Sequence, residues 1–204
     1  MLKYVVYLLA VIIIISAASG IFHLYRVSAK NKKEMAQYAG LSDEVHKNFG
    51  KMLVIYYSLT GNTKEIAEKI KNKTNADLYE IKTAEPLPAG PKLHLAVREQ
   101  LKTQKYPALE NIPDVSAYDT IFIGAPVWWY TAATPVLSLL DQVDFQGKKV
   151  VPFSTQGSNA GTFLEDFKAK IKNAVVLEYA SFNNIGKEYD QAVNAKIAAW
   201  LNNL

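Results

Sequence analysis

KMLVIYYSLTGNTKEIAEKI, residues 51–70, changes character twice within one short stretch. Lys51–Tyr57 is a β-rich apolar run of the length of a buried strand. Thr63–Asn72 places Ile66, Ala67 and Ile70 at helical spacing with charges elsewhere. Between them stands Ser58-Leu59-Thr60-Gly61-Asn62-Thr63. A strand that hands over directly to a helix puts this loop at the helix N-terminus, where backbone N–H groups lack partners and the dipole is positive. Gly61 lets the backbone curl close to an anion. Ser58, Thr60 and Thr63 add hydroxyl donors, and Lys64 stands just inside the helix. Capping a helix takes one such hydroxyl. Three, with a glycine and an asparagine, point to a phosphate monoester site. Neither GxxxxGK[ST] nor GxGxxG occurs, so the polyphosphate and dinucleotide loops are excluded.

Outward from this stretch the same alternation repeats. Strands are predicted over 76–81, 118–124, 148–154 and 174–180, and helices over 93–103, 135–143, 162–171 and 191–204. Pro86, Pro88, Gly90 and Pro91 mark a loop, and Pro135 fits a first helical turn, where no N–H is needed. Strands alternating with helices specify an α/β domain over 50–204, with a parallel sheet covered on both faces. In such a doubly wound sheet, ligands sit at the carboxyl ends of the strands near the switch point. Two further loops fall there. Gly124-Ala125-Pro126-Val127-Trp128-Trp129-Tyr130 follows the third strand, and Ser154-Thr155-Gln156-Gly157-Ser158-Asn159-Ala160-Gly161 follows the fourth. Adjacent tryptophans in a loop are costly unless they cover something.

S-x-T-G-N-T after the first strand resembles the FMN phosphate loop of the flavodoxin family, and the resemblance runs through residues 51–204 in element order. It implies a flavodoxin-like, doubly wound, five-stranded parallel sheet of order 2-1-3-4-5 with helices on both faces, preceded here by an apolar N-terminal helix. It implies FMN as cofactor. Ser58, Thr60, Gly61, Asn62 and Thr63 would hold the phosphate. Pro126, Val127, Trp128, Trp129 and Tyr130 would wrap the ring, and Thr155, Gln156, Gly157 and Ser158 would approach its polar edge. This chain departs from the family's electron shuttles in charge. They are strongly acidic, which steers them to basic partners. Residues 50–204 carry 17 Lys/Arg against 16 Asp/Glu.

Residues 1–49 differ in kind. Tyr4–Tyr25 is almost wholly apolar and long enough to cross a bilayer. It reads as an uncleaved anchor or as a signal peptide, with small residues at Ser16–Gly20 as a cleavage site. Apolar Ile21, Phe22, Leu24 and Tyr25 continue past that point, and Arg26, Lys30, Lys32 and Lys33 follow. That charge order favours an anchor with the following domain on the cytoplasmic side; a cleaved signal would export it. Residues 26–49 are expected as a charged linker, partly helical near 33–38, whose basic cluster can touch anionic lipid.

The chain has no cysteine, which removes disulfides, thiolate metal sites and a cysteine nucleophile. His23, His46 and His94 share no ligand spacing. No basic stripe with interleaved aromatics indicates nucleic acid. Gly157-Ser158 lacks the GxSxG pattern of a hydrolase elbow. The function expected is an FMN-binding redox protein tethered to a membrane and exchanging electrons with partner proteins. The alternatives are an FMN-dependent reductase of quinone-like substrates and a cofactor-free interaction module.

Overall fold

A computed structural model describes residues 2–184 and 186–204. Met1, ahead of the apolar N-terminal segment, lies outside the described residues. The domain is a parallel sheet of β1 (Met52–Tyr56), β2 (Asp77–Glu80), β3 (Thr120–Trp128), β5 (Asp144–Gln156) and β6 (Lys172–Val176), ordered β2-β1-β3-β5-β6. β4 (Thr131–Ala132) folds back on β3, and β7 (Ala180–Asn183) prolongs the β5 edge. This is the flavodoxin-like arrangement expected from sequence, with the crossover between β2 and β3 at β1.

Side chains of the central strands alternate between two cores. Leu53, Ile55, Ile121, Ile123 and Val150 face α3 (Pro91–Thr103), α4 (Thr134–Gln142) and α5 (Phe163–Lys170). Val54, Tyr56, Phe122, Val151 and Phe153 face α2 (Asn62–Thr74) and α6 (Asp190–Asn203), where Trp200 meets Phe122, Phe153 and Phe182 edge-on. Strands buried on both faces explain why these segments read as solid apolar runs.

The fifth strand differs from the expected 174–180. It starts at Lys172, breaks after Val176 and resumes at Ala180. Val150 pairs with Val176, but Phe153 pairs with Ala180, so one extra residue is inserted on the edge side. Pro152 explains where. Val150 O accepts from Leu177 N–H, so the even-numbered backbone groups of β5 point to this edge. Pro152 has no N–H to give there, and proline in a sheet is accommodated at such bulges. The shift rephases the edge. Tyr179 stacks on Phe163 in one core, while Ala180 and Phe182 pack in the other.

β3 also runs further than expected, to Trp128, because Ala125 and Pro126 continue to pair with Ser154 and Thr155. The aromatic stretch is therefore the tip of a hairpin, not an open loop.

The N-terminal helix α1 (Leu2–Ala36) runs unbroken through the apolar segment into the charged one. The expected linker packs on the domain. Asn31, Met35 and Phe49 are buried, Glu34 pairs with Lys196, and Lys73 binds Asp43. His46 N–H donates to Asn202 Oδ1 at 2.9 Å.

Candidate functional site

Three loops meet at the carboxyl ends of β1, β3 and β5, which are neighbours in the sheet. Each pair of loops is bonded or in ring contact. Thr63 and Thr155 join the first and third through their hydroxyls at 2.7 Å. Tyr57 meets Trp128 edge-on at 5.5 Å between centroids, joining the first and second. Tyr130 O accepts from Thr162 N–H at 2.7 Å and from its hydroxyl at 3.2 Å, joining the second and third.

In the first loop Gly61 holds φ 91°, a left-handed conformation that favours glycine, and a Cβ there would meet nothing within 4 Å. The space above it is open. The first bond of α2 runs from Glu65 N–H to Gly61 O at 2.9 Å. The N–H groups of Asn62, Thr63 and Lys64 therefore precede the ladder and find no acceptor among the described residues. Gly61 N–H donates to Ser58 Oγ at 3.1 Å, and Asn62 Nδ2 donates to Thr60 Oγ1 at 3.2 Å. Both hydroxyls act as acceptors within the loop, so each keeps its own proton for an outside acceptor. In the Thr63–Thr155 pair, one hydroxyl proton is likewise left over whichever group donates. Lys64 is exposed and lies 4.0 Å from Glu68, outside the loop. The loop is an uncharged donor set at a positive helix end, which fits a phosphate monoester.

The second stretch forms a two-residue hairpin. Val127 pairs with Ala132 and Trp128 with Thr131, leaving Trp129 and Tyr130 at the turn with φ 49° and 66°. Such a turn ordinarily carries Asn-Gly, and bulky residues there store about 1–3 kcal/mol of strain each. The tip is tied down. Trp129 Nε1 donates to His94 O of α3 at 3.1 Å, and Gly161 fits under Tyr130 so closely that a Cβ would lie 2.2 Å from Tyr130 O. Trp129 and Tyr130 remain exposed, while Pro126, Val127 and Trp128 are half-buried. Hollows flank Trp129, an apolar one and one lined with polar groups such as Gln104, Asp166 and Lys170. The apolar one, of about 130 Å³, is lined by Leu93, His94, Val97, Val127 and Trp128.

In the third loop, Thr155 and Gln156 are buried, and Gly157 and Ser158 reach the surface. Ser154 donates to Gln156 Oε1 at 2.7 Å, and Gln156 Nε2 donates to Asn183 Oδ1 at 3.1 Å. The Gln156 side chain is thus committed inside the protein, and its carbonyl accepts from Asn184 N–H at 2.8 Å, leaving backbone groups of Gly157 and Ser158 for a ligand edge. All fourteen residues singled out from sequence stand at this one edge.

Sequence reasoning missed Asn183, Tyr179 and Tyr57. Burial pushes the Tyr57 and Tyr179 phenols up, so both stay protonated across the neutral range. Tyr179 hydrogen-bonds Ser154. Asn183 was hidden because it reaches the site only through the rephased edge strand.

A family model described as flavodoxin matches residues 51–204. A flavoprotein from Lactobacillus acidophilus NCFM, solved in complex with FMN, is 30% identical with a TM-score of 0.60; the match covers 65% of this chain and 93% of that one. A flavoprotein structure from Bacteroides uniformis ATCC 8492 is 27% identical with a TM-score of 0.61, over 76% of this chain and 99% of that one. One from Bacteroides eggerthii DSM 20697 is 26% identical with a TM-score of 0.59, over 75% and 96%. No curated protein matches.

Proposed function

The chain belongs to the flavodoxin family, and from that premise we propose that its three-loop edge binds FMN and that the protein passes electrons between a reductase and an acceptor while tethered to a membrane. The observation that carries the cofactor is the start of α2, with three N–H groups ahead of the helical ladder and Ser58 and Thr60 already oriented as acceptors within the loop. These groups would take the phosphate. FMN, when bound, supplies the redox chemistry. The chain's part is to bind it, orient it and exclude water. Trp128 is held by Tyr57, and Tyr130 by Thr162, so an aromatic wall stands in place before any ligand arrives. Backbone groups of Gly157 and Ser158 are free to approach the polar edge of the ring system.

The tether rests on α1. Its apolar segment has none of its surface buried against the domain, and residues 4–25 as a helix measure about 33 Å at about 1.5 Å per residue. That length suits a hydrocarbon core of about 30 Å. Arg26, Lys30, Lys32 and Lys33 favour a cytoplasmic domain. Mass spectrometry of the mature chain separates this from cleavage and export: a mass lacking the first twenty or so residues (about the length of a signal peptide) would remove the tether.

A second reading, an FMN-dependent reductase of quinone-like substrates, is supported by the apolar hollow beside Trp129, of about 130 Å³. The deciding experiment is an absorption spectrum of the purified full chain in detergent, with released cofactor identified by chromatography. A flavin spectrum that releases FMN is expected. A colourless protein that does not take up added FMN would leave a cofactor-free interaction module. Turnover with a soluble quinone would select the reductase reading over the carrier.

A further inference from the structure

The place where α1 docks brings one side of the domain nearest the membrane. Asn31 lies beside Asn183, the last residue of β7, with Asn183 Nδ2 donating to Asn31 Oδ1 at 2.7 Å. Glu34, one turn on, reaches Asn183 and Lys196 in the middle of α6. Gln37 and Tyr38 line a hollow with Glu178, Ala180, Ser181, Lys196 and Asn203, along the edge strand and α6. Lys32, Met35 and Ala36 lie beside Glu188, Tyr189 and Ala192, where α6 begins, so the end of α1 nearest the apolar span docks at the carboxyl edge of the sheet. Its apolar part therefore leaves the domain at the edge that carries the three loops. Val27 is already half-buried against the domain. From Tyr25 to Asn31 an unbroken helix covers only about 9 Å, at about 1.5 Å per residue.

The same edge presents what an interface wants. Trp129 and Tyr130 are 47% and 64% exposed, and aromatic rings of this kind favour the headgroup level. Leu59, in the first loop, and Leu95, beside the Trp129–His94 bond, are 49% and 68% exposed. Arg26, Lys30, Lys32 and Lys33 stand at the foot of the span, and exposed Lys64 and Lys92 begin α2 and α3 on this edge. Basic residues this near a bilayer are drawn to anionic lipid.

We propose that the three-loop edge rests on the headgroup layer of the anchoring membrane, with Leu59, Leu95, Trp129 and Tyr130 at the contact, so that the cofactor site opens toward the bilayer. This rests on the reading of α1 as a retained span. It restricts exchange to carriers that arrive in or along the membrane.

The chain has no cysteine, so single reporters can be placed cleanly. Leu59→Cys marks the loop edge. Ala117→Cys, exposed just ahead of β3, marks the opposite one. β3 spans nine residues between them, or roughly 26 Å at about 3.3 Å per residue. Full chains labelled with bimane are reconstituted in phosphatidylcholine–phosphatidylglycerol vesicles containing headgroup-nitroxide lipid. Severalfold stronger quenching at position 59 than at 117 is expected, falling toward the 117 value when the nitroxide lipid is omitted. Equal quenching, or stronger quenching at 117, in chains that resist alkaline carbonate would overturn the placement alone. Release by carbonate would overturn the span, and the placement with it. A Leu95→Cys reporter guards against a local effect of labelling the first loop and must follow position 59.

Discussion

Changing Thr60 and Gly61 together to alanine tests whether the first loop holds a phosphate. Thr60 supplies a hydroxyl proton not used inside the loop, since its oxygen already accepts from Asn62. A hydrogen bond to a charged group contributes about 1.5–3 kcal/mol. Gly61→Ala puts a side chain at φ 91°, which costs about 1–2 kcal/mol, and the new Cβ meets nothing within 4 Å. The penalty is conformational, with no clash behind it. Relaxing it rotates the loop and turns the N–H groups at the start of α2 off their target. The two effects together weaken FMN binding by about 2.5–5 kcal/mol, roughly 60- to 4,000-fold in Kd. Fold stability loses at most that backbone part, and less as the free loop relaxes, small against a total of about 5–15 kcal/mol. The assay is fluorescence titration of FMN into parent and variant, alongside urea unfolding of both. A Kd within about threefold of the parent (~0.65 kcal/mol) in a folded variant would refute the phosphate-loop assignment.

Three more perturbations address the scaffold. Gly161→Ala would thrust its Cβ to 2.2 Å from Tyr130 O, separating the hairpin from the third loop and breaking both Thr162 bonds; FMN affinity should fall at least tenfold (about 1.4 kcal/mol), and an unchanged affinity would mean that the hairpin does not contact the ring. Glu34→Gln leaves Lys196, only 8% exposed, without its carboxylate. The variant should lose about 1–3 kcal/mol, less than a fully buried pair because Glu34 is partly solvated, and melt lower by about 2–4 °C per kcal/mol. An unaltered Tm would show that α1 does not dock as described. Burial, with help from Glu80 and Glu68, pushes the Tyr56 phenol up to about 12. The unfolded phenol ionises near 10. Its contribution is thus complete below about pH 10 and is lost as pH rises toward 12. Tyr56→Phe should flatten the alkaline decline measured by urea unfolding from pH 9 to 11 (about one pKa unit either side of the free phenol); an identical decline would assign it to other groups.

Much of this protein is local, and local features are legible in the chain. Strand β1, the Ser58–Thr63 loop and helix α2 are set by an apolar run, a glycine at a left-handed position and a helical repeat. Each depends on neighbours within a few residues, so the phosphate end of the site could be read directly. The alternation of strands and helices, together with the rule that crossovers are right-handed, leaves few sheet orders to choose from. The apolar length of residues 4–25 follows from composition alone.

What tertiary structure decided depends on pairing across long sequence distances. Trp129 and Tyr130 read as loop residues, but pairing of Ala125 and Pro126 with β5 carries the strand onward and forces them into a strained hairpin tip. Pro152 reads as an ordinary strand residue. Only beside the edge strand does its missing N–H select the bulge that brings Asn183 to the site and Tyr179 under Ser154. Asn31 and Glu34 read as linker. Their partners, Asn183 and Lys196, lie about 150 residues away, and no periodicity within 26–49 encodes them. That docking sets where α1 leaves the domain, and so brings an apolar helix and a three-loop site, each visible in sequence separately, to one edge of the sheet.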